Sequence, residues 1–198
     1  MAGFWDERYS ADEYVYGTAP NEYFKSIIDG LKPGRLLVPG AGEGRDAVYA
    51  ATKGWQVLGY DASAQGREKA MRLAKKQNVL IDYVVTDAKD FIPEAGVFDA
   101  VAMIYFHLPL PLKEKVYADA DVALKTGGTV IMEVFNPKQL QNESGGPKDI
   151  AMLATTGSLQ SAFSNFEILQ NQEAEIMLHE GKFHEGKADV IRFCARKK

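Results

Sequence analysis

From Leu36 to Asp46 the chain reads Leu-Leu-Val-Pro-Gly-Ala-Gly-Glu-Gly-Arg-Asp, an apolar run that enters three alternating glycines and leaves in a helix-like pattern. This is the pattern of a strand that turns tightly into a helix with a ligand laid over the turn. Glycine has a physical role there. Without a Cβ the backbone takes positive φ and admits a bulky ligand to contact distance, and the free N–H groups that open the helix point at the ligand's polar atoms. Arg45 stands where a dinucleotide-binding turn carries its third glycine.

The chain has 198 residues, 46% of them apolar and 25% charged, enough for one globular domain with a full core over residues 1–198. Its formal net charge is −4, and the one dense basic block is the terminal Arg196-Lys197-Lys198, so nucleic acid is not an expected partner. The single cysteine, Cys194, excludes an internal disulfide framework and fits a reducing compartment. Met1 to Ser10 shows no secretory pattern, and the longest charge-free apolar run, Ala100 to Leu112, is short for a bilayer and holds two prolines. The expectation is a cytoplasmic protein with no membrane partner and no metal.

Residues 1–18 mix Phe4, Trp5, Tyr9, Tyr14 and Tyr16 with charged residues and show no clean period. They read either as an arm that packs its aromatics on the domain or as a flap, with Trp5 and Tyr16 as walls and Arg8 open to a carboxylate. Pro20 is expected to open a helix with Phe24, Ile27, Ile28 and Leu31 on one face, ended by Lys32-Pro33-Gly34. A helix carrying Ala47, Val48, Ala50 and Ala51 follows the glycine turn and stops at Gly54. Trp55 to Tyr60 is the next strand, closed by Asp61, which either takes ribose hydroxyls or caps the next helix with Ser63. On that helix Arg67, Lys69, Arg72, Lys75 and Lys76 read as a solvated face.

Leu80 to Val85 and Phe98 to Tyr105 are further strands, the second apolar enough to be buried on both faces. Asp87, just past the first of them, is a candidate for an adenine amino group or a plain loop carboxylate. A helix from Pro111 with Leu112, Val116, Ala120 and Leu124 inward, ended by Gly127-Gly128, leads to a fifth strand, Thr129 to Phe135. Asn136 to Gly157 is long for a connection and reads as a lid. Ser158 to Phe163 is a short helix. Phe166, Ile168, Ala174, Ile176 and Leu178 share one strand phase, and a hairpin through His179 to Gly186 leads to a last strand, Ala188 to Ala195.

Strands and helices thus alternate with short connections, which predicts a doubly wound, mostly parallel sheet in a three-layer α/β/α sandwich. Ligands in such sheets bind at the carboxyl ends of the strands. Gly40 to Gly44, Asp61, Asp87 and Tyr105 to His107 all follow strand ends, so they converge on one edge.

Trp5-Asp6-Glu7-Arg8-Tyr9, Tyr16-Gly17, Pro20-Asn21, Gly40 to Arg45, Gly54-Trp55, Asp61-Ala62-Ser63, Leu124-Lys125 with Gly127-Gly128, and Gly145-Gly146-Pro147-Lys148 together carry a resemblance. The chain resembles the class I S-adenosylmethionine-dependent methyltransferases, and within them the small bacterial group related to the tellurite-resistance and thiopurine methyltransferases. The resemblance implies a Rossmann-like seven-stranded sheet with an antiparallel last strand. It implies that S-adenosylmethionine lies against Trp5, Arg8, Gly40, Ala41, Gly42, Gly44, Arg45, Asp61, Ala62, Asp87, Ala88, Ile104 and Tyr105. Val38 departs from the acidic residue common two places before the first glycine, and Glu43, Asp46 or the arm are the candidates to replace it.

For methyl transfer the expected catalytic residues are His179, His184 and Tyr105, with His179, His184, Lys148 and Arg45 forming a small cationic pocket for an anionic acceptor. The expected acceptor is a small molecule, a thiol or a selenium or tellurium oxyanion, and the expected state a monomer or homodimer. A non-catalytic S-adenosylmethionine-binding regulator and a nicotinamide-dependent oxidoreductase are the alternatives.

Overall fold

The computed structural model describes residues 2–198, so Met1 of the expected arm lies outside the described residues. The chain forms α1 (Ala2–Arg8), α2 (Glu22–Ile28), β1 (Arg35–Pro39), α3 (Arg45–Thr52), β2 (Gln56–Asp61), α4 (Ala64–Lys76), β3 (Asp82–Val85), β4 (Phe98–Ile104), α5 (Leu110–Ala123), β5 (Leu124–Phe135), α6 (Thr156–Ala162), β6 (Phe166–His179) and β7 (Glu185–Lys197). Short 3-10 turns at Pro137–Gln141 and Ile150–Met152 interrupt the connection between β5 and α6.

The seven strands lie in the order β3-β2-β1-β4-β5-β7-β6. β1 to β5 run parallel, and β7 runs antiparallel to both β5 and β6. The chain winds outward from β1 to β3, then returns to the other side of β1 with β4, and the reversal leaves a crevice at the carboxyl ends of β1 and β4. Successive residues of the central strands face opposite layers, as pleating requires. Leu37, Val101, Met132 and Phe193 pack in one core cluster with Val116, Ala120, Leu159 and Phe163 of α5, α6 and its end. Leu36, Ala100 and Ile131 pack in the other, with Phe24, Val48 and Leu73 of α2, α3 and α4.

Several local expectations are corrected. Residues 2–8 are helical, and Asp6 ties α1 to the start of α4 by accepting from Ser63 Oγ at 2.6 Å. α2 is opened by Asn21, whose side chain accepts from Phe24 N, and not by Pro20; a short polar side chain at that place satisfies an N–H that the helix leaves free. α5 ends at Ala123, and Leu124, expected on its inner face, already pairs with Phe98 in the sheet. In β6 the shared phase is broken by a bulge between Ile168 and Gln170. The extra residue turns the strand over, so Phe166 and Ile168 join Phe193 and Ala195 while Ala174, Ile176 and Leu178 join Val190 and Ala188.

Lys69, expected on a solvated face of α4, is buried. It is 1% exposed and forms an ion pair at 2.5 Å with Glu43, itself 5% exposed. Its ammonium also donates to the carbonyls of Ala11 at 2.8 Å and Glu13 at 2.6 Å, while Glu43 accepts from the backbone N–H groups of Val15 at 2.9 Å and Tyr16 at 3.2 Å. One buried pair therefore fastens residues 11–16 to the glycine turn and to α4. Removing one partner leaves a buried charge without its counterpart, a loss of about 3–5 kcal/mol. Lys69→Met is expected to lower stability by that amount in urea denaturation and to open residues 10–18 to limited proteolysis; a midpoint within about 0.5 M of wild type (roughly 1 kcal/mol at an ordinary slope) would contradict this.

Candidate functional site

A cavity of about 680 Å³ lies at the carboxyl edge of the sheet, within the range of small-molecule sites. Its floor is built from residues at the strand ends and just past them: Gly40 to Gly42 after β1, Asp61 and Ala62 at the end of β2, Thr86 to Ala88 after β3, Ile104 to Leu108 at the end of β4, and Phe135 of β5. Its roof comes from two distant stretches, Phe4 to Gly17 and the hairpin turn Lys182 to His184. The two halves of the roof meet where the Arg8 guanidinium lies 3.9 Å from the Phe183 ring centroid.

The glycine turn is shaped by close approach. Gly40 has φ of +65°, and a Cβ there would run into the Phe106 ring. Gly44, an expected ligand contact, does not line the cavity. Its φ is +87° and a Cβ would lie 2.5 Å from Ala70 Cβ, so it is needed for the approach of α3 to α4. Asp61 does not cap α4; Ser63 does, accepting from Gly66 N at 3.0 Å. The Asp61 carboxylate instead accepts from Ser63 N at 2.9 Å and Gly42 N at 3.2 Å, which aims it at the floor beside the turn. Burial raises its pKa, opposed by these backbone N–H groups. Trp5, Arg8, Ala41, Gly42, Arg45, Asp87, Ala88, Ile104 and Tyr105 also line the cavity.

The expected cationic pocket does not form. His179 is outside the cavity, exposed and paired with Glu185 at 2.8 Å. Lys148 is also outside, with its ammonium on the Asn142 carbonyl at 3.3 Å. Arg45 reaches the cavity wall, but its charge is met by Glu180 at 2.9 Å and Asp46 at 3.8 Å. Of the ionisable side chains that line the cavity, five are carboxylates and three are cations, so it favours positive over negative charge. Glu43 is committed to Lys69, and Asp46 accepts from Asn21 N at 2.8 Å.

His184 lies inside, 6% exposed, with ring centroids of Tyr16 and Tyr105 each at 4.6 Å and Phe135 at 5.5 Å. Tyr105, at φ +50°, turns the chain out of β4 in a left-handed conformation that costs a β-carbon residue about 1–3 kcal/mol. Its hydroxyl donates to Glu133 Oε1 at 2.7 Å and burial raises its pKa well above the ordinary phenol value, so it offers the cavity a ring face and not a proton. Glu133, 1% exposed in β5, also accepts from Asn21 Nδ2 at 2.6 Å and Arg192 Nε at 2.7 Å. Sequence reading missed Glu133, Glu180, Asn21 and Phe135. The one available signal was a carboxylate inside an otherwise apolar strand, Ile131-Met132-Glu133-Val134-Phe135.

The fold and site define an α/β protein with a roofed ligand cavity at the carboxyl ends of its strands. Residues 37–128 match the family model described as methyltransferase domain. A 2-heptyl-1-hydroxyquinolin-4(1H)-one methyltransferase of Mycobacteroides abscessus is 25% identical over 138 residues, 68% of this chain and 61% of the relative. The chain thus spans about three fifths of the length of that curated relative. Among solved structures, one described for conversion of a disulfide bond into a thioacetal group during echinomycin biosynthesis superposes with a TM-score of 0.82 at 16% identity, over 100% of this chain and 92% of the other. TehB from Haemophilus influenzae superposes at 0.72 and 16% identity, over 98% of this chain and 66% of that one. At such identities the superpositions establish the shared fold.

His107 provides a test of burial at the floor. Its ring is stacked on Phe135 at 5.3 Å, and burial lowers its pKa from 6.5 to about 4. The unfolded chain takes up this proton near 6.5 and the folded one only near 4, so the folded state binds fewer protons between those values. Stability is complete above the higher value and is lost as pH falls toward the lower one, by on the order of 3 kcal/mol. Thermal melts from about pH 7.5 to about pH 4.5 are expected to show this fall, and His107→Phe to flatten it; an equal slope in both proteins would refute the assignment.

Proposed function

We propose that this chain transfers a methyl group from S-adenosylmethionine to a small-molecule acceptor by in-line displacement. The observation that carries the reading is the meeting of the glycine turn, the Asp61 carboxylate and a roofed, acid-rich cavity on the segment that matches the methyltransferase-domain family model. The residues present fit this cofactor. An acidic surplus suits a sulfonium cation, the bare backbone at Gly40 to Gly42 suits a ligand chain in contact with it, and Asp61 is held by backbone N–H groups where ribose hydroxyls would lie. Asp87 and Ala88 would border the adenine, Trp5 and Arg8 the methionine end from above, and Ile104 and Tyr105 the methyl side.

When bound, this cofactor supplies a methyl group already activated on positively charged sulfur. The protein's own work is then to align the acceptor and keep water out. Alignment of two reactants contributes as much as about 7–11 kcal/mol to lowering a barrier. α1 and the hairpin turn roof the site, and Tyr105, Phe106 and Phe135 wall the space beyond the glycine turn with rings. The relation of Arg45 to Glu180 and Asp46 disfavours an oxyanion and favours an uncharged small molecule, a thiol among them. The name of the Mycobacteroides relative gives a ring compound as its acceptor, which agrees with such walls.

Calorimetric titration is expected to give saturable micromolar binding of S-adenosylmethionine and none of a nicotinamide dinucleotide. Asp61→Ala is expected to weaken the cofactor by at least about tenfold, the size of a lost charge-assisted hydrogen bond. Unchanged affinity in that variant would refute the ribose assignment. Binding of the dinucleotide alone would replace this reading with an oxidoreductase.

A further inference from the structure

The hairpin turn between β6 and β7 brings to the cavity a group that alignment alone does not require. His184 Nδ1 is 3.4 Å from Glu180 Oε2, four residues back in the same turn. Glu180 is itself fixed from two other elements, accepting from Arg45 Nη2 of α3 at 2.9 Å and from Asn21 Nδ2 before α2 at 3.0 Å. The other nitrogen of the ring, Nε2, has no hydrogen-bond partner among the described residues, and His184 lines the cavity. Gly145 passes over this side of the ring, where a Cβ would lie 2.8 Å from Cδ2 and 3.3 Å from Nε2. A residue with a side chain there would press on the imidazole edge.

The charges around His184 come from every neighbouring element. Glu180 lies in its own turn, Arg45 on α3, Glu133 on β5, Tyr105 and His107 after β4, and Tyr16 on the arm. Burial lowers the imidazole pKa, with Arg45 acting in the same direction and Glu180 and Glu133 opposing. Burial acts to raise the Glu180 pKa, but the hydrogen bonds and charges of His184 and Arg45 outweigh it and bring it to about 2. At neutral pH the turn therefore holds a carboxylate beside a neutral ring. An ionised carboxylate at Nδ1 selects the tautomer that carries its hydrogen there and leaves a lone pair on Nε2.

We propose that Glu180 is a positioning residue that holds His184 as the proton acceptor for a weakly acidic hydroxyl on a flat, uncharged acceptor. This rests on the methyl-transfer reading above and adds to it the class of acceptor. The acceptor's O–H bond breaks as its proton passes to His184 Nε2, the oxygen forms a bond to the methyl carbon, and the carbon–sulfur electron pair returns to sulfur. The products are a methyl ether, a neutral sulfide and an imidazolium stabilised by Glu180. A thiol ionises near neutral pH unaided, whereas a phenolic hydroxyl, with a pKa of about 10, gains most from a base held in place. The rings of Tyr16, Tyr105 and Phe135 around the imidazole admit a flat apolar body, and Arg45 beside them is already paired and offers no charge to an anion.

The first test needs no acceptor. Nitrogen-15 spectra of the full chain labelled at histidine are expected to show His184 protonated at Nδ1 alone at neutral pH. In Glu180→Gln its titration midpoint is expected to fall by at least about half a pH unit, because the opposing negative charge is gone. A proton on Nε2 at neutral pH, or a midpoint unmoved in Glu180→Gln, would overturn the proposal. In the second test, S-adenosylmethionine and a panel of simple phenols and naphthols are supplied to the wild type and to two variants. His184→Gln is expected to lose about a hundredfold or more in kcat while binding the cofactor within about threefold of wild type, and Glu180→Gln to shift the acid limb of the kcat/KM profile downward. Cofactor binding without methylation of any phenol, or methylation confined to thiols, would overturn the acceptor class. Absence of cofactor binding in the wild type would instead remove the reading on which it rests.

Discussion

The ion pair of Lys69 and Glu43 is the constraint on which the closed site depends. Glu43 sits inside the glycine turn, Lys69 in the middle of α4, and between them they take up three carbonyls and two backbone N–H groups of the arm. An irregular segment crossing the top of a domain leaves backbone polar groups that need partners wherever water is excluded. Here one acid and one base provide them. Because the same acid belongs to the glycine turn, the order of the arm and the shape of the ligand-facing loop are a single property.

A second polar assembly performs the same task at the other side of the roof. Glu133, buried in β5, holds the Tyr105 hydroxyl, Asn21 and Arg192, while Asn21 also reaches Glu180, which holds Arg45 and His184. Six parts of the chain, the start of α2, α3, the end of β4, β5, the hairpin turn and β7, are linked through these bonds. Charged groups buried this way contribute little net stability, since desolvation offsets their attraction. What they determine is geometry: a Tyr105 backbone in a left-handed turn and a hairpin tip pressed on the cavity are held against alternatives by directional bonds. The charge of Arg45 is neutralised in the process, and the cavity is left acid-rich and walled by rings.

Much of the fold was legible in the chain. The alternation of apolar strands and amphipathic helices depends on local periodicity, and the parallel sheet, the crevice after β1 and the convergence of Asp61, Asp87 and Tyr105 on it are consequences of connection rules. Errors fell where one residue changes the geometry. The bulge at Leu169 put two halves of an apparently continuous strand face on opposite sides of the sheet, and Leu124 passed from helix to strand because its partner Phe98 was waiting in β4. Gly44, read as a ligand contact, is a glycine for the sake of Ala70.

What the sequence determined by itself was the position of the site: apolar patterning and glycine geometry are short-range, so they placed the strand ends and the turn that meet there. What only the tertiary structure decided was the state of each charged side chain at that site. Lys69 looked like one of five helix-surface bases and is the buried one; His179 and His184 stand at the two ends of one turn, and only His184 enters the cavity. Spacing along the chain does not encode these differences. Whether an ion is solvated, paired or aimed at a ligand is set by which distant residues surround it, and desolvation and pairing act through space at a few ångströms.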